Sequence, residues 1–241
     1  MADKEVLLER HEGWAEIVIN RPERRNSITA PVSEAILGYL TEAESDDSIS
    51  ALIIRGEGGY FCSGIDLKAL QADPPPLWKD RQGSSWKDLH VALFGFTKPV
   101  IGALESYGIN AGAGLAFACD LLIAGESAFL QIGEIQQGVG MPMNAAWLRI
   151  KSTEQTMARL AFYGDRVSAT DLLSLGLITE TVNDDEVIAR CREICARIAA
   201  FPSGASTRVK RTIIESRRID SAGDFFSFDV QSTLDQASML K

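Results

Sequence analysis

Apolar positions in the first half of the chain form short runs broken by turns, and longer stretches of helical period separate them. Residues 5–10 and 14–20 alternate or run apolar on either side of His11-Glu12-Gly13, which predicts a β-hairpin ended by Arg21-Pro22. Val32, Ala35, Ile36, Tyr39 and Leu40 then share one face of a helix running to about Ala43, with Ser27 or Thr29 as its cap and Pro31 early. Residues 51–55 read as a short buried strand turned by Gly56-Glu57-Gly58-Gly59. Residues 61–64 lead into a short helix at 66–70, and Asp73-Pro74-Pro75-Pro76 reads as a loop. A helix at 86–96, a strand at 99–104, an Ala/Gly-rich helix at 111–119 and a strand at 121–124 follow.

The last third is almost entirely of helical period, over 142–151, 154–163, 168–175, 184–200, 206–215 and 224–240. The helix at 168–175 has Ser168 or Thr170 as cap and Gly176 as stop. Strands alternating with helices, then helices alone, predict an α/β core with parallel strands and a helical C-terminal lobe. The expected division is a core over 1–184 and a lobe over 185–241. Phe225, Phe226 and Phe228 crowd too closely for one narrow helix face, so burial against another surface is expected, as in an oligomer.

Composition narrows the classes. A chain of 241 residues, 46% apolar, suits one sizeable domain with a real core. It contains no uncharged apolar run of about 18 residues, so no membrane span is expected. A net charge of −9 argues against nucleic acid, whose binding needs basic stripes. The opening Met-Ala-Asp-Lys-Glu has no apolar leader core, so a cytoplasmic location is expected. Cys62, Cys119, Cys191 and Cys195 lack paired-zinc spacing; Cys191 and Cys195 share a helix face but have no third ligand nearby. Buried thiols in a reducing compartment are expected, and no metal. No phosphate-binding glycine loop, dinucleotide fingerprint or Gly-x-Ser-x-Gly elbow is present.

Two stretches stand out. Phe61-Cys62-Ser63-Gly64-Ile65-Asp66-Leu67 and the stretch from Lys98-Pro99-Val100 to Asp120 each break from strand into small residues and then helix. Taken alone, Gly64, Gly112 and Gly114 serve tight turns and helix packing equally well. Read with Asn20-Arg21-Pro22-Glu23-Arg24-Arg25-Asn26-Ser27-Ile28, with Gly164-Asp165-Arg166-Val167-Ser168-Ala169 and with Leu175-Gly176-Leu177-Ile178, they resemble the crotonase superfamily, which includes enoyl-CoA hydratases and isomerases. The resemblance runs from about residue 5 to 215. It implies an α/β fold with a crotonase-like spiral core of repeated β-β-α turns and a helical C-terminal lobe. It also implies an acyl-CoA substrate, with coenzyme A as part of that substrate and no permanently bound cofactor, and a homotrimer or dimer of trimers.

The resemblance assigns the backbone N–H groups of Ile65 and Ala111 to an oxyanion hole. Such donors stabilise the charge that a thioester oxygen gains when the α-proton leaves. It assigns coenzyme A contacts to Arg25, Ser63, Gly64, Asp66, Leu67 and Lys68, with Arg24 as a substitute for Arg25; a solvated charged loop is the plainer account of both arginines. Hydratases of this superfamily use two glutamates about an attacking water. Counting back from Cys119-Asp120, the first falls at Gly114, which has no side chain; the second falls at Glu134. A lone carboxylate suits a proton shuttle that moves a double bond, so an isomerase with Glu134 as catalytic base is favoured. Ile132 and Ile135 are expected to desolvate it. A non-catalytic acyl-CoA binder, or another superfamily reaction such as hydration or thioester or C–C hydrolysis, stays open.

Residues 137–144 are expected to line the acyl pocket, and Pro142 stands where dehalogenases of the superfamily carry a nucleophilic aspartate. Glu105 is expected to pack structurally. His90 either reaches the substrate, as that region does in some relatives, or is an ordinary helix residue. Trp78, Trp86 and Phe94 are candidates for pocket or core.

Overall fold

The computed structural model describes residues 4–227. Its elements run β1 (Val6–Arg10), β2 (Ala15–Ile19), α1 (Ala30–Ser45), β3 (Leu52–Gly56), α2 (Leu67–Leu70), α3 (Gln82–Gly95), β4 (Val100–Leu104), β5 (Tyr107–Ile109) and α4 (Ala111–Ala118). They continue with β6 (Leu121–Gly125), β7 (Phe129–Gln131), α5 (Pro142–Lys151), α6 (Glu154–Tyr163), β8 (Arg166–Ser168), α7 (Ala169–Ser174), β9 (Glu180–Val182), α8 (Val187–Ala199), α9 (Ala205–Ser216) and α10 (Ala222–Phe225).

Six strands form one sheet in the order β1-β2-β3-β4-β6-β9, antiparallel at β1–β2 and parallel elsewhere. A small second sheet, β5-β7-β8, stands beside it. The chain visits both sheets in each turn. It passes from β4 to β5 to α4, and the same course leads from β3 through a parallel bridge of Cys62 with Gly108 into α2. This is the expected spiral of β-β-α turns.

Parallel strands are buried on both faces, and side chains alternate between them. Leu52, Ile54, Val100, Leu104 and Leu122 point to the main core, where α1 packs against α3. Ile53, Ile101 and Ile123 point the other way, onto Val187, Cys191 and Cys195 of α8. Helical spacing puts those three on one stripe. The two cysteines are therefore packing residues, and burial raises both thiol pKa values. Helix α8 packs directly on the sheet.

One charge sits under α8. Glu16 of β2 is fully buried and meets Arg55 of β3 at 2.6 Å and Arg192 of α8 at 2.7 Å. Burial alone would raise its pKa; hydrogen bonds from Arg192 and Arg55 outweigh that and lower it. His11 Nε2 lies 3.2 Å from the same carboxylate, and Glu9, His11 and Glu16 are the described residues whose ligand atoms cluster as a metal site would. The two arginines already supply the positive charge there.

Two of the phenylalanines near the C-terminus are buried against another surface, as expected, but that surface belongs to the same chain. Phe225 and Phe226 are buried within the chain, packed on Phe94 of α3 at 5.1 and 5.8 Å, and Phe226 lies 5.6 Å from Trp147 of α5. Their burial needs no second molecule. Phe228, and most of the helix expected at 224–240, lie outside the described residues. Four strands were not foreseen: β5, β7, β8 and β9 have three residues each, too few for an alternating pattern to register. Among the described residues no helix is long and apolar enough to cross a membrane.

Removing the Glu16 carboxylate leaves two arginines without their buried partner. Glu16→Ala is expected to lower unfolding free energy by about 3–5 kcal/mol, read by urea denaturation. A loss below about 1 kcal/mol would show that solvent already screens the group.

Candidate active site

The two small-residue stretches come side by side. Cys62 N–H donates to the Tyr107 carbonyl at 3.2 Å, and Ile109 N–H returns to Cys62 at 3.1 Å. Gly64 has φ +96°, and a Cβ there would stand 2.8 Å from the Ile109 carbonyl oxygen and 3.7 Å from the Ala111 nitrogen. Only glycine permits this approach. Ile28 binds the backbone on either side of Ile65, through Gly64 O at 2.8 Å and Asp66 N at 2.9 Å. The N–H of Ile65 consequently faces away from Ile28, since backbone groups alternate along an extended chain. Ala111 opens α4, where first-turn N–H groups have no intrahelical acceptor and the Asn110 side chain provides no cap.

A cavity of about 210 Å³ lies against these amides. Ser63, Gly64, Ile65 and Leu67 line one side, and Ile109, Asn110 and Ala111 another. Trp86 closes a third, and Glu134 with the segment from Val139 to Asn144 completes it. Glu134 is the only carboxylate among the described residues of that lining. It begins a 3-10 turn, Glu134–Gln137, following β7. Burial pushes its pKa up to about 7, against smaller lowering by its own backbone N–H and by the Asn144 amide.

Ile132 is buried beside it, whereas Ile135, expected to do the same, is 48% exposed. It lies on an adjoining groove walled also by Met157, Ala158, Ala161 and Phe162, which shares Glu134, Val139, Gly140 and Met141 with the cavity.

Gly114 lies on the buried face of α4, and a Cβ built there would point at Asn144, 3.4 Å from Oδ1. Asn144 entered the sequence analysis only as the last residue of the 137–144 pocket segment, and Asn110 did not enter it. Asn144 Nδ2 donates to Glu134 Oε1 at 2.8 Å and to the Asn110 carbonyl at 3.1 Å. Asn110 Oδ1 accepts from Gly133 N–H at 2.8 Å. The one signal in the sequence was the place of Asn110 directly before Ala111; Asn144 reads as an ordinary residue in the first turn of a helix.

A surface groove opens beside the cavity, lined by Arg24, Arg25, Ser63, Ile65, Asp66, Leu67 and Lys68. Arg25 and Lys68 are exposed on it. The Asp66 carboxylate is engaged inside the protein. It binds Arg21 at 3.1 Å and Arg24 at 2.7 Å, takes the Ser27 hydroxyl, and caps α2 through Ala69 N–H. Arg24 is thereby held to Asp66, and burial's upward pull on that carboxyl pKa is outweighed by Arg24, the Ala69 amide and Arg21.

His90 is fully buried and outside the cavity lining. It accepts from Trp147 Nε1 at 2.7 Å and meets Trp86 edge-on at 4.2 Å; desolvation takes its pKa down to about 3, so the ring is neutral. Trp86 is a wall of the cavity, Phe94 belongs to the core, and Trp78 touches neither. Glu105 is held apart from the cavity, and burial raises its pKa.

The chain has relatives among known proteins in both sequence and fold. The family model described as enoyl-CoA hydratase/isomerase matches residues 9–232. Enoyl-CoA hydratase EchA19 of Mycobacterium tuberculosis is 29% identical, over 94% of this chain and 86% of its own. The 1,2-epoxyphenylacetyl-CoA isomerase of Escherichia coli K12 is 28% identical, over 91% of this chain and 86% of its own. The crystal structure of an enoyl-CoA hydratase/isomerase from Xanthobacter autotrophicus Py2 superposes with a TM-score of 0.82 at 27% identity, covering 98% of this chain and 87% of that one.

Two outcomes test the geometry without any substrate. Gly114→Ala meets only ordinary contacts and replaces a mid-helix glycine, so it is expected to stabilise the fold by up to about 1 kcal/mol, read as a rise in Tm. Burial takes the Glu134 pKa from an ordinary 4.5 to about 7 in the folded state. The folded state therefore holds a proton that the unfolded chain has lost, and this group's contribution to stability falls as pH rises through that window. Glu134→Gln is expected to match wild type near pH 4.5 and exceed it at pH 8 by about 3 kcal/mol. A constant difference across that range would show that Glu134 is not desolvated.

Proposed function

Because the chain belongs to the enoyl-CoA hydratase/isomerase family, and is an enzyme of it, we propose that it moves the double bond of a 3-enoyl-CoA thioester to the 2-position, with Glu134 as proton shuttle. Relatives carry both hydratase and isomerase names, so membership by itself does not select the reaction. The observation that carries the choice is that Glu134 is the lone carboxyl among the described residues of the cavity lining, with one oxygen buried and without a protein partner, while glycine at 114 adds no second one. Hydration calls for one group to activate water and another to protonate carbon; a 1,3-proton shift needs one group that does both in turn.

Glu134 as carboxylate takes the proton from C2. The electron pair moves into the thioester, and the carbonyl oxygen gains negative charge. The Ile65 and Ala111 amides receive that charge, each contributing about 3 kcal/mol in a water-poor site, with the dipole of α4 adding to them. The enolate then takes the proton back from neutral Glu134 at C4, and no atom is gained or lost. A carboxyl pKa near 7 suits both halves of the cycle, since the group is neither too weak a base nor too reluctant an acid.

Arg25 and Lys68 are assigned to the coenzyme A phosphates, and the backbone and side chains of Ser63, Gly64 and Leu67 to the pantetheine arm. The Asp66 role in this scheme is to hold the loop. The acyl chain is assigned to the cavity and the apolar groove beyond Glu134.

Purified protein supplied separately with 3-enoyl-CoA and 2-enoyl-CoA is expected to isomerise the first and not hydrate the second. Glu134→Gln is expected to lower kcat by about 10²–10⁴-fold. The kcat/KM of wild type is expected to rise with pH to a plateau through a midpoint near 7, where Glu134 loses its proton. Rapid water addition to 2-enoyl-CoA, or full turnover by Glu134→Gln, would remove this reading.

A further inference from the structure

Both N–H bonds of the Asn144 amide are engaged, one by Glu134 Oε1 and one by the Asn110 carbonyl. Asn144 is 2% exposed, so bulk water does not compete for them. Glu134 Oε2 and Asn144 Oδ1 are buried with no protein partner. The two oxygens of Glu134 are thus unlike. A proton placed on Oε1 confronts an N–H donor and breaks that bond, whereas a proton on Oε2 leaves it intact.

The Asn110 carbonyl belongs to the residue immediately before Ala111. One side chain therefore spans from the carboxyl group to the opening of α4. The same side chain occupies the ground that a longer group at position 114 would enter, since Oδ1 lies 3.4 Å from a Cβ built at Gly114.

We infer that Asn144 is the positioning residue of the proton transfer: it pins Oε1 of Glu134 and leaves Oε2 as the oxygen that takes and returns the proton, in fixed relation to the Ala111 amide. The mechanistic half of this rests on Glu134 being the shuttle. Asparagine suits the task because one nitrogen supplies two donors and carries no charge at any pH. Aspartate there would share a proton with Glu134, and alanine would leave Oε1 without its Asn144 donor and the Asn110 carbonyl with only the Gly114 N–H.

The test compares wild type, Glu134→Gln, Asn144→Ala and Asn144→Asp, with circular dichroism and melting as checks on the fold. The Glu134 carboxyl is titrated without substrate by ¹³C NMR of δ-labelled glutamate, its resonance identified as the one lost in Glu134→Gln. The pH profile of kcat/KM with 3-enoyl-CoA is then measured. Asn144→Ala is expected to raise the titration midpoint by about half a pH unit or more, because the carboxylate loses a donor. Its kcat is expected to fall about tenfold to a hundredfold while KM changes less than about threefold. Asn144→Asp is expected to split the titration into two steps shared by the pair.

An unmoved midpoint in both variants, or a kcat that falls only with the folded fraction, overturns the inference. Should Asn144→Ala fail to fold, the isosteric aspartate variant carries the same readouts. If the titrations shift but wild type does not isomerise 3-enoyl-CoA, the pinning of Glu134 stands and the isomerase reading is the part that fails.

Discussion

Asn110 is the point at which the site is tied together. Its N–H donates to Gln131 at 2.8 Å, its side chain holds Gly133, and its carbonyl receives both Gly114 N–H at 3.0 Å and Asn144. The turn entering α4, the loop that carries Glu134 and the first turn of α5 are thereby fixed to one residue. Its backbone stands at φ +52°, ψ −111°, a conformation that costs an asparagine about 1–3 kcal/mol. The several hydrogen bonds it makes, each worth about 1 kcal/mol net, offset that cost. Without this clamp the carboxyl and the helix N-terminus would belong to segments free to drift, and catalysis by fixed dipoles depends on their not reorganising.

The frame behind the clamp explains why it can be rigid. The large sheet is covered on both faces, by the main core on one side and by α8 on the other. The strand ends that lead into α4 therefore emerge from a closely packed interior. The small sheet then brings the two small-residue stretches into register, through the bonds between Cys62 and the strand at 107–109. On the far side, His90, Trp147, Phe94 and Phe226 pack as an aromatic block beneath Trp86, which forms one wall of the cavity. Cavity wall and core packing meet at that residue.

Electrostatics divides the carboxylates by their partners. Glu16 and Asp66 are buried and Glu134 is half-buried, yet the first two each face two arginines and are held as anions. Glu134 faces an uncharged amide, and desolvation prevails. The same side-chain chemistry becomes a structural strut in one environment and a group that titrates near neutrality in the other. The net charge of −9 has no bearing on this, since the decisive interactions lie within a few ångströms.

The hairpin, α1, the parallel strands and most later helices were legible in the sequence, because periodicity reports which faces are buried wherever an element spans several residues. That Ile65, Ala111 and Glu134 would come together was expected from motif spacing and resemblance, and all three line the same cavity. The three-residue strands were not, for want of length, and whether the core or a neighbouring molecule covers Phe225 and Phe226 stayed open because sequence cannot say which surface covers an apolar side chain. Ile135 turned out exposed for the same reason. The amino-acid sequence by itself determined that a single carboxylate would be available, since glycine at 114 has nothing to offer. Only the tertiary structure decided that Asn144 stands against position 114 and donates to Glu134, because that contact joins α4 to a helix some thirty residues later and no local pattern records it.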